Sequence, residues 1–381
     1  MNRREKIDFL FLVSRPPIIN AGYGIKHILY LAEGVMKKRY STALLILPQS
    51  EIEIAKIRRE RKVMSFSLFF LSFLYSSVFF SRLGNYLFQV INTKINKNSY
   101  KFKVPRGVKV YYANTKCLSL AERVVCNGWY TAYYLSNKIN HGACFFIVYH
   151  SYENDIPALS DIVASTYDSR YNIVVTSEVT RKKFNLDERC VMTPAIDVDK
   201  VSDKNNEIRE RNSVLIPLRR GNIKGAEYAI QAIDLLLKEK KGIKVYTFGD
   251  YVPKGATNDN WVDLGTVTDE ILVDLYRKVE VCVSPSVEDG VPGIAAEAMA
   301  NGCAVISTDV SGARELINDG VNGMIIPAKD AAAIARAVTF LLEHREVLIK
   351  FQNNASAVLN KFSKENMVKT FLSAVDYYEH T

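Results

Sequence analysis

No two cysteines in this chain are spaced Cys-x-x-Cys. The six present, Cys117, Cys126, Cys144, Cys190, Cys282 and Cys303, lie mostly in apolar runs such as VEVCVSPS. They read as reduced core thiols of a cytosolic protein rather than as a disulfide framework or a metal finger. Basic and aromatic residues do not interleave in the manner of an RNA-binding surface. A net charge of +9 therefore points to an anionic small substrate or an anionic membrane surface before nucleic acid. No secretion leader is legible. The first apolar stretch, Ile7–Val13, is short and ends at Arg15-Pro16-Pro17, so it reads as a strand. The glycine-bearing loop after it lacks Gly-x-Gly-x-x-Gly, which excludes the dinucleotide fingerprint. No internal repeat recurs. The acidic residues Asp197, Asp199 and Asp259 do not gather into a metal set, and no metal or other cofactor is expected.

What is present is alternation. With 48% hydrophobic and 24% charged residues the composition is that of a folded globular chain, and 381 residues exceed what one core ordinarily serves. Strand-like runs at Ile7–Val13, Ala43–Leu47, Val108–Tyr112, Phe145–Tyr149 and Ile173–Thr176 are separated by loops and helical patterns. One such pattern places Ile25, Ile28, Leu29, Ala32, Val35 and Met36 at helical spacing. A second series follows at Val214–Pro217, Val245–Phe248, Val281–Ser284 and Ala304–Ser307. Strands alternating with helices predict an α/β protein with two parallel sheets. Asp330 is placed to cap a helix over Ala331–His344, and Ser363 to cap a last helix with Met367, Phe371, Leu372 and Val375 on one face.

The richest stretch is Val283–Gly312, VSPSVEDGVPGIAAEAMANGCAVISTDVSG. An apolar strand runs into a loop broken by glycine and proline, with Glu288 and Asp289 near its start. A helix carrying Glu297 follows. A loop rich in backbone N–H groups that opens onto a helix N-terminus suits phosphate. A carboxylate early in that helix suits sugar hydroxyls. Together they suggest a nucleotide-sugar site.

This stretch resembles the donor-site signature of the family-four retaining glycosyltransferases, in which two glutamates bracket seven residues. Glu297 matches the second. Asp289 stands at the first position, one methylene shorter, with Glu288 beside it, and either residue is a candidate for the donor sugar. The resemblance implies a GT-B fold, two Rossmann-like domains facing a central cleft. It implies an acceptor domain over 1–197, a donor domain over 198–362, and a terminal helix over 363–381 packing back on the first domain. Pro194-Ala195-Ile196-Asp197 resembles the family's hinge without its glycine. The implied activity is transfer of a hexose-type sugar from a nucleotide-diphosphate sugar to a glycan or lipid-linked acceptor, without metal. The rival is a non-catalytic partner or scaffold of the same fold.

Site residues follow from the same source. In isolation Arg219 and Lys224 read as a solvated basic turn. Their five-residue spacing matches the family's phosphate-binding pair, with Arg220 as the alternative arginine. Backbone N–H groups of Gly290, Val291, Gly293 and Ile294 would cradle phosphate, and Pro292 would only shape the loop. Glu297, otherwise a first-turn carboxylate favoured by the helix dipole, would hold ribose. Leu264 and Val267 would flank the base. Gly22 and Gly24 read either as a plain turn or as a close approach to donor phosphate or acceptor. His150 ends an apolar strand, where open α/β sheets bind ligands, and would line the cleft. His27 is a weaker candidate.

Met64–Phe80 holds no charged residue and is flanked by Lys56–Lys62 and by Lys94, Lys97, Lys101 and Lys103. At seventeen residues it barely reaches the length of a membrane span. It reads as a helix lying in an anionic interface on the cytoplasmic face, or else as a buried helix of the first domain. An interfacial helix predicts that replacing Phe69, Phe70 and Phe73 together by Ser reduces co-sedimentation with anionic liposomes. Unchanged co-sedimentation would reject it.

Overall fold

The computed structural model describes residues 6–13, 23–47, 104–112, 115–136, 143–150, 160–196, 208–251, 259–355 and 358–381. Gly22, Asp197 and the whole of 56–103 lie outside them, and with them the expectations of a membrane contact and of the hinge aspartate. Among the described residues no helix is long and apolar enough to cross a membrane. The chain divides into two compact units, Met1–Val175 with Val368–Thr381, and Thr176–Met367.

The first unit is built in chain order from β1 (Ile7–Val13), α1 (Tyr23–Lys37), β2 (Thr42–Ile46), β3 (Lys109–Tyr112), β4 (Ala121–Asn127), α2 (Trp129–Ser136), β5 (Ala143–Val148), α3 (Ser160–Ala164) and β6 (Asn172–Val175). All pairings are parallel and the strand order is β3-β2-β1-β4-β5-β6. The apolar run of β1 is buried along nearly its whole length, as a strand covered on both faces requires. The strand β4 escaped the sequence reading because Glu122 and Arg123 interrupt its apolar pattern. His150 does not end a strand: β5 stops at Val148, and His150 lies in the bend beyond it, half-buried.

The second unit comprises α4 (Glu178–Lys183), β7 (Ser213–Pro217), α5 (Ala226–Glu239), β8 (Lys244–Phe248), β9 (Trp261–Asp263), α6 (Asp269–Lys278), β10 (Val281–Ser284), α7 (Gly293–Ala300), β11 (Ala304–Thr308), α8 (Ala313–Leu316), β12 (Met324–Ile326), α9 (Ala331–Glu343), α10 (Arg345–Ala355) and α11 (Val358–Lys361). Its sheet is again parallel, in the order β12-β11-β10-β7-β8-β9. Read from β9, this is the same doubly wound order as in the first sheet. Successive strand residues serve opposite cores. Val214, Ile216 and Val283 pack with α5 and α9, whereas Leu215 and Cys282 pack with α6 and α7. The edge strands β9 and β12, three residues each, are too short to leave a periodic signal. Asp330 caps α9 by accepting from Ala333 N–H at 2.8 Å.

The last helix, α12 (Lys364–Glu379), begins at Ser363, whose Oγ accepts from Asn366 N–H at 3.1 Å. From Val368 onward it belongs to the first unit. Phe371 is fully buried there, with its ring 6.1 Å from Phe9, 6.3 Å from Phe11 and 6.4 Å from Phe145 between centroids. Glu379 takes a two-pronged contact from Arg123, Nε to Oε1 at 2.5 Å and Nη2 to Oε2 at 3.0 Å. The charged start of β4 thus fastens the chain's end, which explains why a core strand carries an arginine.

Candidate functional site

In a doubly wound sheet the connections diverge to opposite faces at one point, and ligands bind beyond the carboxyl ends of the two strands that flank it. In the second sheet those strands are β7 and β10. The loop after β7 carries Arg219 and Lys224, and the loop after β10 carries Glu288, Asp289 and Gly290, so one topological feature brings the sequence candidates together.

The two loops are joined through their backbones. Ile223 O accepts from Val287 N–H at 2.8 Å and from Glu288 N–H at 3.2 Å. Gly225, at φ +68°, opens α5 against the other loop, and a Cβ there would stand 1.9 Å from Pro285 O. Only glycine permits both the left-handed turn and the approach. The far side of the second loop is held as well. Thr308 Oγ1 donates toward Ser286 O at 2.5 Å and Ser284 O at 3.2 Å, and Gly312 N–H donates to Gly290 O at 3.0 Å.

Side chains complete the junction. Lys224 Nζ lies 3.2 Å from Asp289 Oδ2, which also meets Ser286 Oγ at 3.2 Å. The Lys224 and Asp289 side chains are 21% and 25% exposed, so the pair is held but still reachable from solvent. Asp289, at the position where the resemblance places a glutamate, is thus the loop acid that meets the lysine. Arg219 is half-buried, and its side chain makes no hydrogen bond or ion pair among the described residues. Arg220 is exposed, with its N–H fixed at 2.9 Å by Asp250 Oδ1. Gly290 N–H already points to Asp289 Oδ1 at 3.1 Å.

Helix α7 starts at Gly293, with no side-chain cap from Pro292. Ala295, Ala296, Ala298, Met299 and Ala300 are buried, leaving Gly293, Ile294 and Glu297 half-buried on the remaining face, three and four residues apart. The expectation of a first-turn glutamate needs correction. Glu297 is the fifth residue of the helix, and the first turn holds no acid. The dipole therefore does little for it, since that effect fades within one turn. Its position is fixed instead by Tyr276, whose hydroxyl donates to Oε2 at 3.1 Å. Glu297, Tyr276, Asp269 and Asn301 line a small cleft between α6 and α7. Lys224 and Asp289 are not among its lining residues.

The loops after β8 and β9 are tied by Gly249 N–H donating to Gly265 O at 2.8 Å. They present Leu264, exposed, and Val267, half-buried against the core beside α6 and α7. Burial pushes the Cys303 thiol up to about 11 and Cys282 well above its ordinary value, so neither is a thiolate nucleophile. Among the described residues no group of His, Cys, Asp and Glu gathers to hold a metal ion. Gly24 and His150 lie in the first unit. The sequence reading missed Ser286, Thr308 and Tyr276. A serine, a threonine and a tyrosine in apolar surroundings carry no spacing signal, and only the fold sets them against the loops and α7.

Residues 213–344 match the family model described as Glycosyl transferases group 1. The chain is 27% identical over 176 residues to the poly(glycerol-phosphate) alpha-glucosyltransferase of Bacillus subtilis, covering 44% of this chain and 26% of that protein. It is 33% identical over 159 residues to an uncharacterized glycosyltransferase of Methanocaldococcus jannaschii, covering 38% of this chain and 40% of the relative. The matched stretch is therefore well under two thirds of either relative's length. In three dimensions the chain is similar to HepE of Anabaena, solved in complex with UDP and glucose. The TM-score is 0.69 at 12% identity, over 97% of this chain and 100% of that one. That likeness is one of fold, and the fold is GT-B with its two Rossmann-like sheets.

The close approach at Gly225 has a measurable consequence. Gly242, at φ +77°, has open space around its missing Cβ. Gly242→Ala is expected to cost only the left-handed backbone penalty, about 1–2 kcal/mol. Gly225→Ala adds a clash with Pro285 O and should melt at a distinctly lower temperature. Equal thermal midpoints for the two variants would contradict the close approach.

Proposed function

We propose that the chain is a glycosyltransferase similar to the retaining enzymes of family four, moving a hexose-type sugar from a nucleotide-diphosphate donor to a glycan or lipid-linked acceptor. The observation that carries this reading is the junction of the two loops beyond β7 and β10, where Lys224 meets Asp289 at 3.2 Å before the N-terminal end of α7. A cation, a carboxylate and the outward N–H groups of a helix's first turn form a seat for diphosphate beside a sugar. The match over 213–344 and the likeness to an alpha-glucosyltransferase support it.

In this account Arg219 and Lys224 neutralise the charge that develops on the departing diphosphate, and the N–H groups of Val291, Gly293 and Ile294 share that task. Asp289 orders Lys224 and takes a donor-sugar hydroxyl. Glu297, oriented by Tyr276, accepts from ribose hydroxyls. Leu264 and Val267 cover the base. The bond from the anomeric carbon to the diphosphate oxygen breaks, the acceptor oxygen bonds to that carbon from the same face, and its proton passes to the departing phosphate oxygen. No enzymic nucleophile is required. Two cations at the diphosphate make a metal dispensable. Contact of 56–103 with an anionic membrane on the cytoplasmic face belongs to this reading on its sequence pattern alone.

Calorimetry with UDP, GDP and ADP and their hexose conjugates tests it. One nucleotide series should bind, and Lys224→Ala should weaken it by roughly 10- to 100-fold, the worth of one hydrogen bond from a charged donor. Chelation should leave transfer unchanged. No binding across the panel, or full affinity in Lys224→Ala, would overturn the reading.

A further inference from the structure

Arg209 lies half-buried just before β7, outside the loops that carry the candidate site. Its guanidinium forks between two helix ends. Nη1 donates to three carbonyls at the C-terminal end of α6, Tyr276 O at 2.6 Å, Arg277 O at 3.1 Å and Val279 O at 2.6 Å. Nη2 donates at 2.6 Å to the carbonyl of Asn301, the residue that ends α7. A helix leaves its last carbonyls without intrahelical partners and its C-terminal end negative, so a cation is favoured there. Lys278 O, between those carbonyls, takes the N–H of the neighbouring Glu210 at 2.8 Å. Gly302, at φ +76°, leaves room for the fork, since a Cβ there would stand 2.9 Å from Arg209 Nη2. This brace lies close to Glu297. Asn301 follows Glu297 by one helical turn, and its Nδ2 donates to Glu297 O at 2.9 Å. Tyr276 gives its carbonyl to Arg209 and its hydroxyl to Glu297 Oε2, the latter at 3.1 Å.

We infer that Arg209 is a positioning residue for Glu297: by tying the end of α6 to the end of α7, it fixes the gap across which Tyr276 reaches the carboxylate. Glutamate is a long, rotatable side chain. It binds a pair of neighbouring hydroxyls well only if it is ordered before the ligand arrives, because ordering it afterwards costs affinity. The tyrosine hydroxyl supplies that order only while the two helices keep their spacing. A guanidinium suits the task and an ammonium does not. Two separate nitrogens reach two helix ends at once, whereas the donors of a lysine diverge from a single atom. That the ligand served is the diol of a ribose rests on the glycosyltransferase reading. The hold on Tyr276 and Glu297 does not.

Arg209→Lys keeps the charge and removes the fork. Calorimetry with UDP, GDP and ADP and with their 2′,3′-dideoxy forms reads the consequence for ribose, and a crystal structure of the variant reads the Tyr276–Glu297 contact. The variant is expected to lose that contact. It should bind the preferred ribonucleotide roughly tenfold less tightly, the worth of one hydrogen bond to a charged group, and bind the dideoxy form as the wild type does. Tyr276→Phe should show the same selective loss, and the double variant no more than either alone, because both act on one carboxylate. A brace that serves stability alone would lower the melting temperature and weaken both forms alike, or leave both affinities unchanged. Either result overturns the inference, as does an intact Tyr276–Glu297 contact in Arg209→Lys. Should Arg209→Lys not fold, Gly302→Ala carries the same test, since its Cβ displaces Nη2 from Asn301 O, and equal binding changes for the two nucleotide forms would again overturn the inference. A wild type that binds no nucleotide would sink the transferase reading, and the Tyr276–Glu297 contact in the variant would still decide for or against the brace.

Discussion

The closure of one loop on another at the divergence point of the second sheet governs the rest of the candidate site. Ile223 O accepts two N–H groups from the loop beyond β10, and Gly225 lies under Pro285 O with no room for a side chain. These contacts set Lys224 beside Asp289 and bring the loop to the threshold of α7. None of the side chains could hold such an arrangement alone. A Lys–Asp pair still reachable from solvent contributes about 1 kcal/mol, so the backbone positions the pair rather than the reverse.

Topology explains why the charged residues lie where they do. Parallel strands buried on both faces leave little room for charged side chains along their length, so polar chemistry collects where the strands end. The second sheet repeats the strand order of the first, and each has its own divergence point. The second gathers cations, a carboxylate and a helix start.

Much of this was legible in the sequence because long buried strands and glycine-broken loops leave strong patterns. The alternation of strands and helices gave the two sheets, and the family resemblance, not spacing in isolation, singled out Arg219, Lys224, Asp289 and Glu297. Where the reading failed, the cause was local. The strand β4 hides behind Glu122 and Arg123, whose charges serve a clamp on Glu379 and interrupt the apolar period. Glu297 lies past the first turn because the helix already begins at Gly293, directly after Pro292. His150 lies past its strand. The support from Thr308, Ser286 and Tyr276, and the reach of Arg209 to two helix ends, depend on which elements the fold brings together and have no signature along the chain.

The most direct test of the central claim is the position of the two phosphorus atoms in a crystal grown with the nucleoside diphosphate that binds most tightly. The account places both within hydrogen-bonding reach of Lys224 and the first turn of α7, with the ribose hydroxyls on Glu297. Diphosphate bound anywhere else, with Lys224 still paired only to Asp289, would contradict it.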